Sequence, residues 1–239
     1  MNRRDMIKIA AGAMVAPLVG AANETAGNRL EASATGERKE RVCMKKYTNA
    51  DYYKNGVFQK DVAYRAFYEM FEDYGYTLAD KLRTFKNGEF WVVDFGLGDF
   101  ENVGMGGIIW YNDITNGYFG HDIYLLPHQM IAEHYHLPAE GVQAKHETWL
   151  VRDGSIFNFG KWGELTDEVR AILPKSQLDA GAITCFNFEE LHVGDLRSLT
   201  ALEDRHFMMA GEKGAIVTEF GSYHSMDGLR FSNTNAALG

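Results

Sequence analysis

The chain has 239 residues, of which 46% are hydrophobic and 24% charged, a balance typical of a globular protein with a full core. Its 33 acidic residues outnumber 24 Lys and Arg, giving a formal net charge of -9, so it lacks the basic surplus that non-specific nucleic-acid binding requires. Its 2 cysteines exclude a disulfide framework, whereas 25 glycines and 13% aromatic residues favour strands joined by tight turns.

Residues 1–22 have the pattern of an export signal. Arg3 and Arg4 precede a nearly uncharged run from Ile9 to Ala22, and the arrangement resembles a bacterial twin-arginine signal. The run is shorter than the roughly 20 residues of a membrane-spanning helix, so we expect no permanent membrane anchor. The sequence therefore predicts a cleaved signal and a periplasmic protein, with a flexible leader over residues 23–46.

A helical segment is predicted over residues 47–88, at the start of a single domain that covers residues 47–239. Apolar residues from Val62 to Tyr74 fall on one stripe at helical spacing. Thr77 and Asp80 match a capping box, and Asn87-Gly88 is typical of a helix end. Two helices are therefore expected before the remainder of the domain.

Over residues 89–235 the apolar period changes from about 3.6 to 2, which predicts a β-barrel or sandwich. Asp153-Gly154 separates two strand-like runs and predicts a hairpin with a type I′ turn. A short helix or loop is expected at Glu164 to Leu173. The predicted strands are Phe90 to Phe95, Gly107 to Tyr111, Gly120 to Leu126, Met130 to His136, Glu147 to Arg152, Ser155 to Phe159, Ala182 to Phe188, His206 to Ala210 and Ala215 to Phe220.

The H-x-H motif of His134 and His136 lies in one predicted strand, where alternation puts both imidazoles on one face. Such a pair can chelate a metal or lie unliganded on the surface. Glu147, at the start of the next strand, shares a face with Trp149 and Val151. A carboxylate on an apolar inward face requires a cation or hydrogen-bond donors, so we interpret these groups as part of a metal site.

The spacing of these residues resembles the first metal motif of the cupins, H-x-H followed by E-x6-G, with Glu147 and Gly154 in the second half. The interval between His136 and Glu147 is longer than is usual in cupins and requires a loop over residues 137–145. Glu140 lies at the more usual distance and is the rival carboxylate. We favour Glu147 because it alone precedes the predicted hairpin.

A second cupin motif is a Gly-Asp turn before the last metal-binding histidine, and Gly194-Asp195 followed by His206 resembles it. The Pro-x-Gly that customarily precedes this histidine is missing from the sequence. The resemblance implies a mainly β cupin fold, a double-stranded β-helix or jelly-roll barrel, behind the N-terminal helical segment. It also implies a metal site formed by His134, His136, Glu147 and His206.

Within the cupins, the sequence is most similar to the D-lyxose isomerase group, from about Phe90 to Asn233. The segments that carry the likeness are Asp99 to Gly104, Leu126 to Gln129, Glu133 to His136 and Gly214 to Phe220. The resemblance implies an aldose–ketose isomerase of a pentose such as D-lyxose, and a homodimer. An Fe-dependent cupin dioxygenase and a non-catalytic cupin that binds metal and sugar are the alternatives.

Aldose–ketose isomerisation moves a proton between C1 and C2, so it requires a group that polarises both sugar oxygens and a nearby base. An octahedral ion with four protein ligands leaves two positions for adjacent sugar oxygens, whereas a tetrahedral zinc site with four ligands is closed. This difference, together with the resemblance, favours Mn²⁺, with Zn²⁺ and Fe²⁺ as the alternatives.

Glu219 is the predicted catalytic base. Its strand face carries Ala215 and Val217, so its carboxylate is expected to project inward among small apolar groups. The alternative is a structural carboxylate held by an Arg or Lys. Lys145 or Lys81 is a candidate donor to a sugar oxygen, and we favour Lys145.

Three further residues are predicted to contact the sugar: Gln129, Trp149 and His224. Gln129 precedes the histidine strand and can bond either substrate hydroxyls or the backbone of its own loop. Trp149 offers a flat surface to a sugar ring, although aromatic residues at strand spacing also form cores. His121, His128 and His192 are interpreted as structural or surface groups.

Overall fold

The fold was obtained as a computed structural model, and the structure describes residues 47–78, 90–160 and 162–238. The predicted export signal, the leader and most of the second predicted helix lie outside these residues. Among the described helices, none combines the length and the apolar character needed to cross a bilayer.

The elements are α1 (Asn49–Tyr52), β1 (Tyr53–Lys54), β2 (Val57–Phe58), α2 (Lys60–Tyr74), β3 (Trp91–Val93), β4 (Met105–Asp113), β5 (Tyr118–Leu125), β6 (His134–His136), β7 (Glu147–Gly160), α3 (Asp167–Ile172), α4 (Lys175–Asp179), β8 (Phe188–His192), β9 (Leu196–Ser198), β10 (His206–Ser222), a 3₁₀ turn (Met226–Gly228) and β11 (Leu229–Phe231).

Helix α2 confirms the first helix predicted from the sequence. It ends at Gly75, whose φ of 66° places it in the left-handed region that glycine adopts without a steric penalty. The apolar stripe of α2 buries Phe67 and Phe71, which pack against Phe90 and Tyr124. Aromatic packing therefore attaches the helix to the sheet.

Nine strands of the described chain form one antiparallel sheet, and six of them lie in the order β11-β6-β10-β5-β4-β3. Strand β7 pairs with the other edge of β10 and also with β8 and β9. The sheet encloses a separate apolar core that includes Val151, Ile156, Phe207 and Val217. This architecture confirms the predicted fold class, a mainly β cupin barrel behind a small helical segment.

The hairpin predicted at Asp153-Gly154 is wrong. Residues 147–160 form one long strand that pairs with β10 along its length, with an irregular register near Gly154 and Gly214. A type I′ turn requires positive φ at both central residues, but in this pair only Gly154, at φ 75°, has it. The pairing with β10 therefore overrides the local turn signal, and the strand continues past it.

One other strand prediction is wrong, and one helix was not predicted. The strand expected at Ala182 to Phe188 is wrong, since the strands of this region are β8 and β9. Helix α3 confirms the short helix expected between Glu164 and Leu173, and Thr166 caps it by accepting from the Val169 amide at 3.3 Å. Helix α4 was not predicted.

Gly154→Ala is expected to destabilise the fold by about 3 kcal/mol, because the change combines a positive φ with a steric overlap. A Cβ at this position would lie 2.0 Å from the carbonyl oxygen of Gly214. Gly181→Ala is the matched control, since Gly181 has a φ of 61° but nothing within 4 Å of its added Cβ, so only about 1 kcal/mol is expected. Urea unfolding measures the free energy of unfolding of both variants. Equal losses of stability would contradict the predicted close contact at Gly154.

Candidate metal centre and catalytic site

Strands β6, β7 and β10 bring the four predicted metal-site residues together. His206 pairs with His134 across the two strands, with ring centroids 4.4 Å apart. The Glu147 Oε1 atom lies 3.3 Å from His136 Nε2 and 2.8 Å from His206 Nε2. One ligand atom from each of the four residues lies within 4.8 Å of the others, close enough to share one ion.

Backbone carbonyls orient two of the imidazoles. The Nδ1 atom of His134 lies 3.0 Å from the Ala132 carbonyl oxygen, and His206 Nδ1 lies 2.9 Å from that of Asp204. A proton on Nδ1 would satisfy each contact and direct the unprotonated Nε2 into the cluster, the arrangement common in metal-binding histidines.

The buried polar atoms of the cluster fit a divalent cation. No hydrogen-bond partner from outside the cluster reaches either ring nitrogen of His136 or Glu147 Oε1 among the described residues. Acceptor atoms that face one another in a buried site are costly unless a cation or proton compensates them. Three imidazoles and one carboxylate are a donor set suited to divalent transition metals.

The electrostatic surroundings shift the pKa values of these groups in different directions. Burial and the neighbouring imidazoles hold the pKa of His134 well below its ordinary value, and burial lowers the pKa of His136. Burial alone would lower the pKa of His206, but the Glu147 carboxylate more than offsets this effect and raises it. Burial would raise the pKa of Glu147, yet Lys145 and His206 hold it well below the usual range. Glu147 is therefore ionised.

The structure places Glu147, rather than its rival Glu140, among the histidines. Glu140 is exposed and accepts a long hydrogen bond, 3.4 Å, from the Tyr223 hydroxyl. Glu140 and Gly141 have positive φ angles of 53° and 77°, and a bridge joins Ala139 to Val142. The extra residues between the two halves of the motif thus form a tight turn that leads away from the cluster.

Lys145 connects Glu147 with Glu219. The residue is 4% exposed, and its ammonium donates to Glu147 Oε2 at 2.7 Å and also to Glu219 Oε1. Burial alone would lower the pKa of Lys145, but the two carboxylates raise it, so the group is charged. Both predicted catalytic residues therefore lie beside the metal cluster, whereas Lys81 lies outside the described residues.

His121 is a site residue that the sequence analysis missed. It is buried, and its Nε2 lies 3.2 Å from Glu219 Oε2. His121 alternates with Ile123 and Leu125, both buried, which was a signal that it points inward. Its proximity to Glu219 depends on the register between β5 and β10, where the two residues are direct partners.

The sequence comparisons agree with this geometry. The D-lyxose/D-mannose isomerase of Thermosediminibacter oceani is 36% identical over 136 residues, which cover 57% of this chain and 71% of the relative. The D-lyxose ketol-isomerase of Cohnella laeviribosi is 33% identical over 131 residues, which cover 55% of this chain and 69% of the relative. No family model matches the sequence.

The chain belongs to the D-lyxose/D-mannose isomerase family. It is a sugar isomerase that interconverts an aldose and a ketose.

Solved L-ribose isomerases have a similar fold. The enzyme of Acinetobacter sp. DL28, in complex with L-ribose, is 15% identical with a TM-score of 0.53, and that of Cellulomonas parahominis is 14% identical with the same score. Each match covers 74% of this chain and 92% of the other, and at this identity the likeness shows the fold alone.

The residues predicted to bind sugar in this family member lie in different surroundings. The His224 ring stacks on Phe119 at 5.3 Å and meets His136 edge-on at 5.2 Å, so it lies beside the cluster. Burial, together with the nearby Lys145 ammonium, holds the pKa of His224 far below its ordinary value and keeps the ring neutral. Trp149 is buried and stacks on His206, with ring centroids 5.8 Å apart, so its ring forms a wall behind that imidazole.

Gln129 requires a correction. Its side chain is fully buried, accepts from the Leu126 amide at 3.1 Å and donates to the Phe100 carbonyl at 2.5 Å. These bonds correspond to the structural alternative, in which the amide satisfies loop backbone. In this structure the polar atoms of Gln129 are therefore taken up by the backbone and not presented to a sugar.

Proposed function

We propose that the protein isomerises aldoses of the D-lyxose and D-mannose configuration at a divalent metal, most suitably Mn²⁺. The observation that carries this proposal is the convergence of His134, His136, Glu147 and His206, next to the buried pair of Lys145 and Glu219. Family membership supports the reaction class, and the donor set supports the metal. Family membership gives no support to the alternative of an Fe-dependent cupin dioxygenase.

A bound divalent ion would polarise the two adjacent sugar oxygens as a Lewis acid. Four protein ligands are compatible with an octahedral ion that accepts two further oxygens, which favours Mn²⁺ over a closed tetrahedral zinc site. Fe²⁺ has the same geometric preference. Elemental analysis of the purified protein, together with reconstitution with each metal, distinguishes Mn²⁺, Zn²⁺ and Fe²⁺.

Glu219 is proposed to carry the proton between C2 and C1. A carboxylate takes the proton from C2 of the aldose and returns it to C1, through an enediol, while the hydroxyl proton of O2 passes to O1, so that no net proton is consumed. Lys145 and His121 contact different oxygens of this carboxylate, which restricts its rotation. Lys145 is charged and buried, so its ammonium is suited to donate a hydrogen bond to a sugar oxygen as negative charge develops.

The relatives' names support the substrate class. D-lyxose and D-mannose have the same configuration at C2, C3 and C4 and differ only beyond C4, so one site near the metal can accept both. His224 is neutral and lies beside His136, and it is proposed to bond a sugar hydroxyl. The family relationship therefore favours recognition of the reacting end of the sugar.

The test is conversion in D₂O, followed by NMR, with the full chain loaded with Mn²⁺. D-lyxose and D-mannose are expected to react and to acquire deuterium at C1 of the ketose and C2 of the aldose, because a carboxylate-bound proton exchanges with solvent. Their C2 epimers, D-xylose and D-glucose, are the matched controls and give the same ketoses. Equal rates for the epimers would contradict the proposed substrate class, and conversion without deuterium would contradict proton transfer by Glu219.

Export by the signal at residues 1–22 and assembly as a homodimer stay predictions. Sequencing the N-terminus of the mature protein tests the first, and light scattering of the purified protein tests the second.

A further inference from the structure

A second side-chain network involves the residues that precede the candidate metal-binding histidines. Glu133, immediately before His134, is 1% exposed. Its Oε2 accepts from the amides of Thr184 and Cys185 at 2.7 and 2.8 Å. Its Oε1 accepts from the Thr184 hydroxyl at 2.7 Å and from the Ser232 hydroxyl. One buried carboxylate thus joins the start of β6 to two segments that are distant in sequence.

Arg205, immediately before His206, completes the network. Its Nη1 donates to the hydroxyl of Ser232 and lies 3.9 Å from Glu133 Oε1. Its guanidinium lies 4.3 Å from the ring centroid of Tyr135, the residue between His134 and His136. We call Glu133, Ser232, Arg205 and Tyr135 the histidine bracket, because its members connect the strands that carry the three histidines.

The backbone pairing between these strands ends at the histidines. His134 pairs with His206, and before it the Ile131 amide donates to the Met208 carbonyl at 3.0 Å and Met130 bridges Met209. Within the described β6, Tyr135 and His136 do not pair with β10, so this end is restrained less than a continuous ladder would restrain it. Neighbouring residues of an extended strand point to opposite faces, so Tyr135 can be held without occupying the face of the two imidazoles.

We propose that Glu133 is a positioning residue that acts through Ser232 and Arg205 to set the distance between His206 and the other two histidines. It thereby sets the affinity of the metal cluster. The inference rests on the proposed metal site. Outer partners that orient metal ligands typically change affinity by about 10-fold to 100-fold when removed.

Glu133→Gln is the most informative variant because it disrupts the hydrogen bond from the Ser232 hydroxyl to Glu133 and keeps the shape of the side chain. The backbone amides of Thr184 and Cys185 can only donate, so the remaining oxygen of the glutamine must face them. Its NH₂ group must then face the Ser232 hydroxyl, whose proton loses its acceptor and whose oxygen would have to accept from both the amide and Arg205. The variant keeps the anchor to the Thr184 loop but weakens the link to Arg205.

The matched control is Asp99→Asn, which alters another buried carboxylate with several donors. Asp99 accepts from Asn49 at 2.6 Å, from Asn102 at 2.7 Å and from Ser176 at 2.6 Å. None of these partners belongs to the histidine bracket. Loss of stability alone should therefore affect both variants, whereas loss of positioning should affect only Glu133→Gln. Ser232→Ala is a second test of the bracket if the glutamine variant does not fold.

The experiment titrates Mn²⁺ into the chelator-treated full chain and measures free Mn²⁺ by electron paramagnetic resonance, with thermal unfolding in parallel. We expect Glu133→Gln and Ser232→Ala to weaken Mn²⁺ binding by about 10-fold or more, and Asp99→Asn to bind as the wild type does. Visible absorption of the Co²⁺-loaded protein should change only in the bracket variants. Unchanged affinity in the folded bracket variants, or an equal loss in Asp99→Asn, overturns the inference. A wild-type chain that binds no Mn²⁺ would overturn the metal site itself.

Discussion

Glu219→Gln is expected to lower kcat by a factor of about 10²–10⁴, the usual contribution of a positioned general base. The amide has the same shape as the carboxylate, and its oxygen can still accept from Lys145. It has no negative charge and cannot take a proton from C2. We therefore expect KM and the bound metal to change little, while deuterium exchange at C2 falls with kcat. One preparation serves for all measurements: steady-state kinetics give kcat and KM, proton NMR in D₂O gives the exchange at C2, and metal analysis gives the bound metal.

Glu212→Gln is the matched control, because Glu212 is exposed on the same strand, β10. Its activity should equal that of the wild type. A Glu219→Gln enzyme that keeps full activity would show that Glu219 is only a structural carboxylate held by Lys145. Loss of metal together with activity would place the effect at the cluster instead.

Glu147→Gln is expected to weaken Mn²⁺ binding by more than about 100-fold, because changing the outer partners of a ligand alone costs about 10-fold to 100-fold. The change removes the negative charge that faces His136 and His206. Metal binding stabilises a folded chain by about 2.7 kcal/mol at a concentration 100 times Kd, so the wild type should gain thermal stability with Mn²⁺. The variant should lose this gain and also its turnover at low Mn²⁺.

Glu140→Gln is the control for this change, since Glu140 is the rival carboxylate and is exposed. It should keep both the metal-dependent gain in stability and the activity. If Glu140→Gln loses Mn²⁺ and Glu147→Gln does not, the loop over residues 137–145 must rearrange around the metal and the proposed ligand set is incorrect.

Local sequence patterns predicted much of the site. The alternation of a strand placed His134 and His136 on one face, and the apolar neighbours of Glu147 indicated an inward carboxylate that required compensation. The same reasoning directed Glu219 inward. These predictions depend only on the geometry of an extended backbone, which is the same in every strand, and this is why they needed no knowledge of the fold.

Other features depended on contacts between distant segments. The Asp153-Gly154 hairpin was a reasonable local prediction, but pairing of β7 with β10 along its length outweighed the turn preference. Gln129 could bond sugar or loop backbone by its chemistry alone, and its burial decided for the backbone. His121 was interpreted as structural because its partner, Glu219, lies on another strand.

The sequence, together with the resemblance that it carries, determined the chemistry available to this protein: three imidazoles and two inward carboxylates on predicted strands, and a lysine in the loop before Glu147. The tertiary structure alone decided which of them meet. Register between β5 and β10 brings His121 to Glu219, and the turn at Glu140 carries the rival carboxylate away from the histidines. The physical reason is that side-chain direction follows from local backbone geometry, whereas strand adjacency follows from burial and hydrogen bonding summed over the whole sheet.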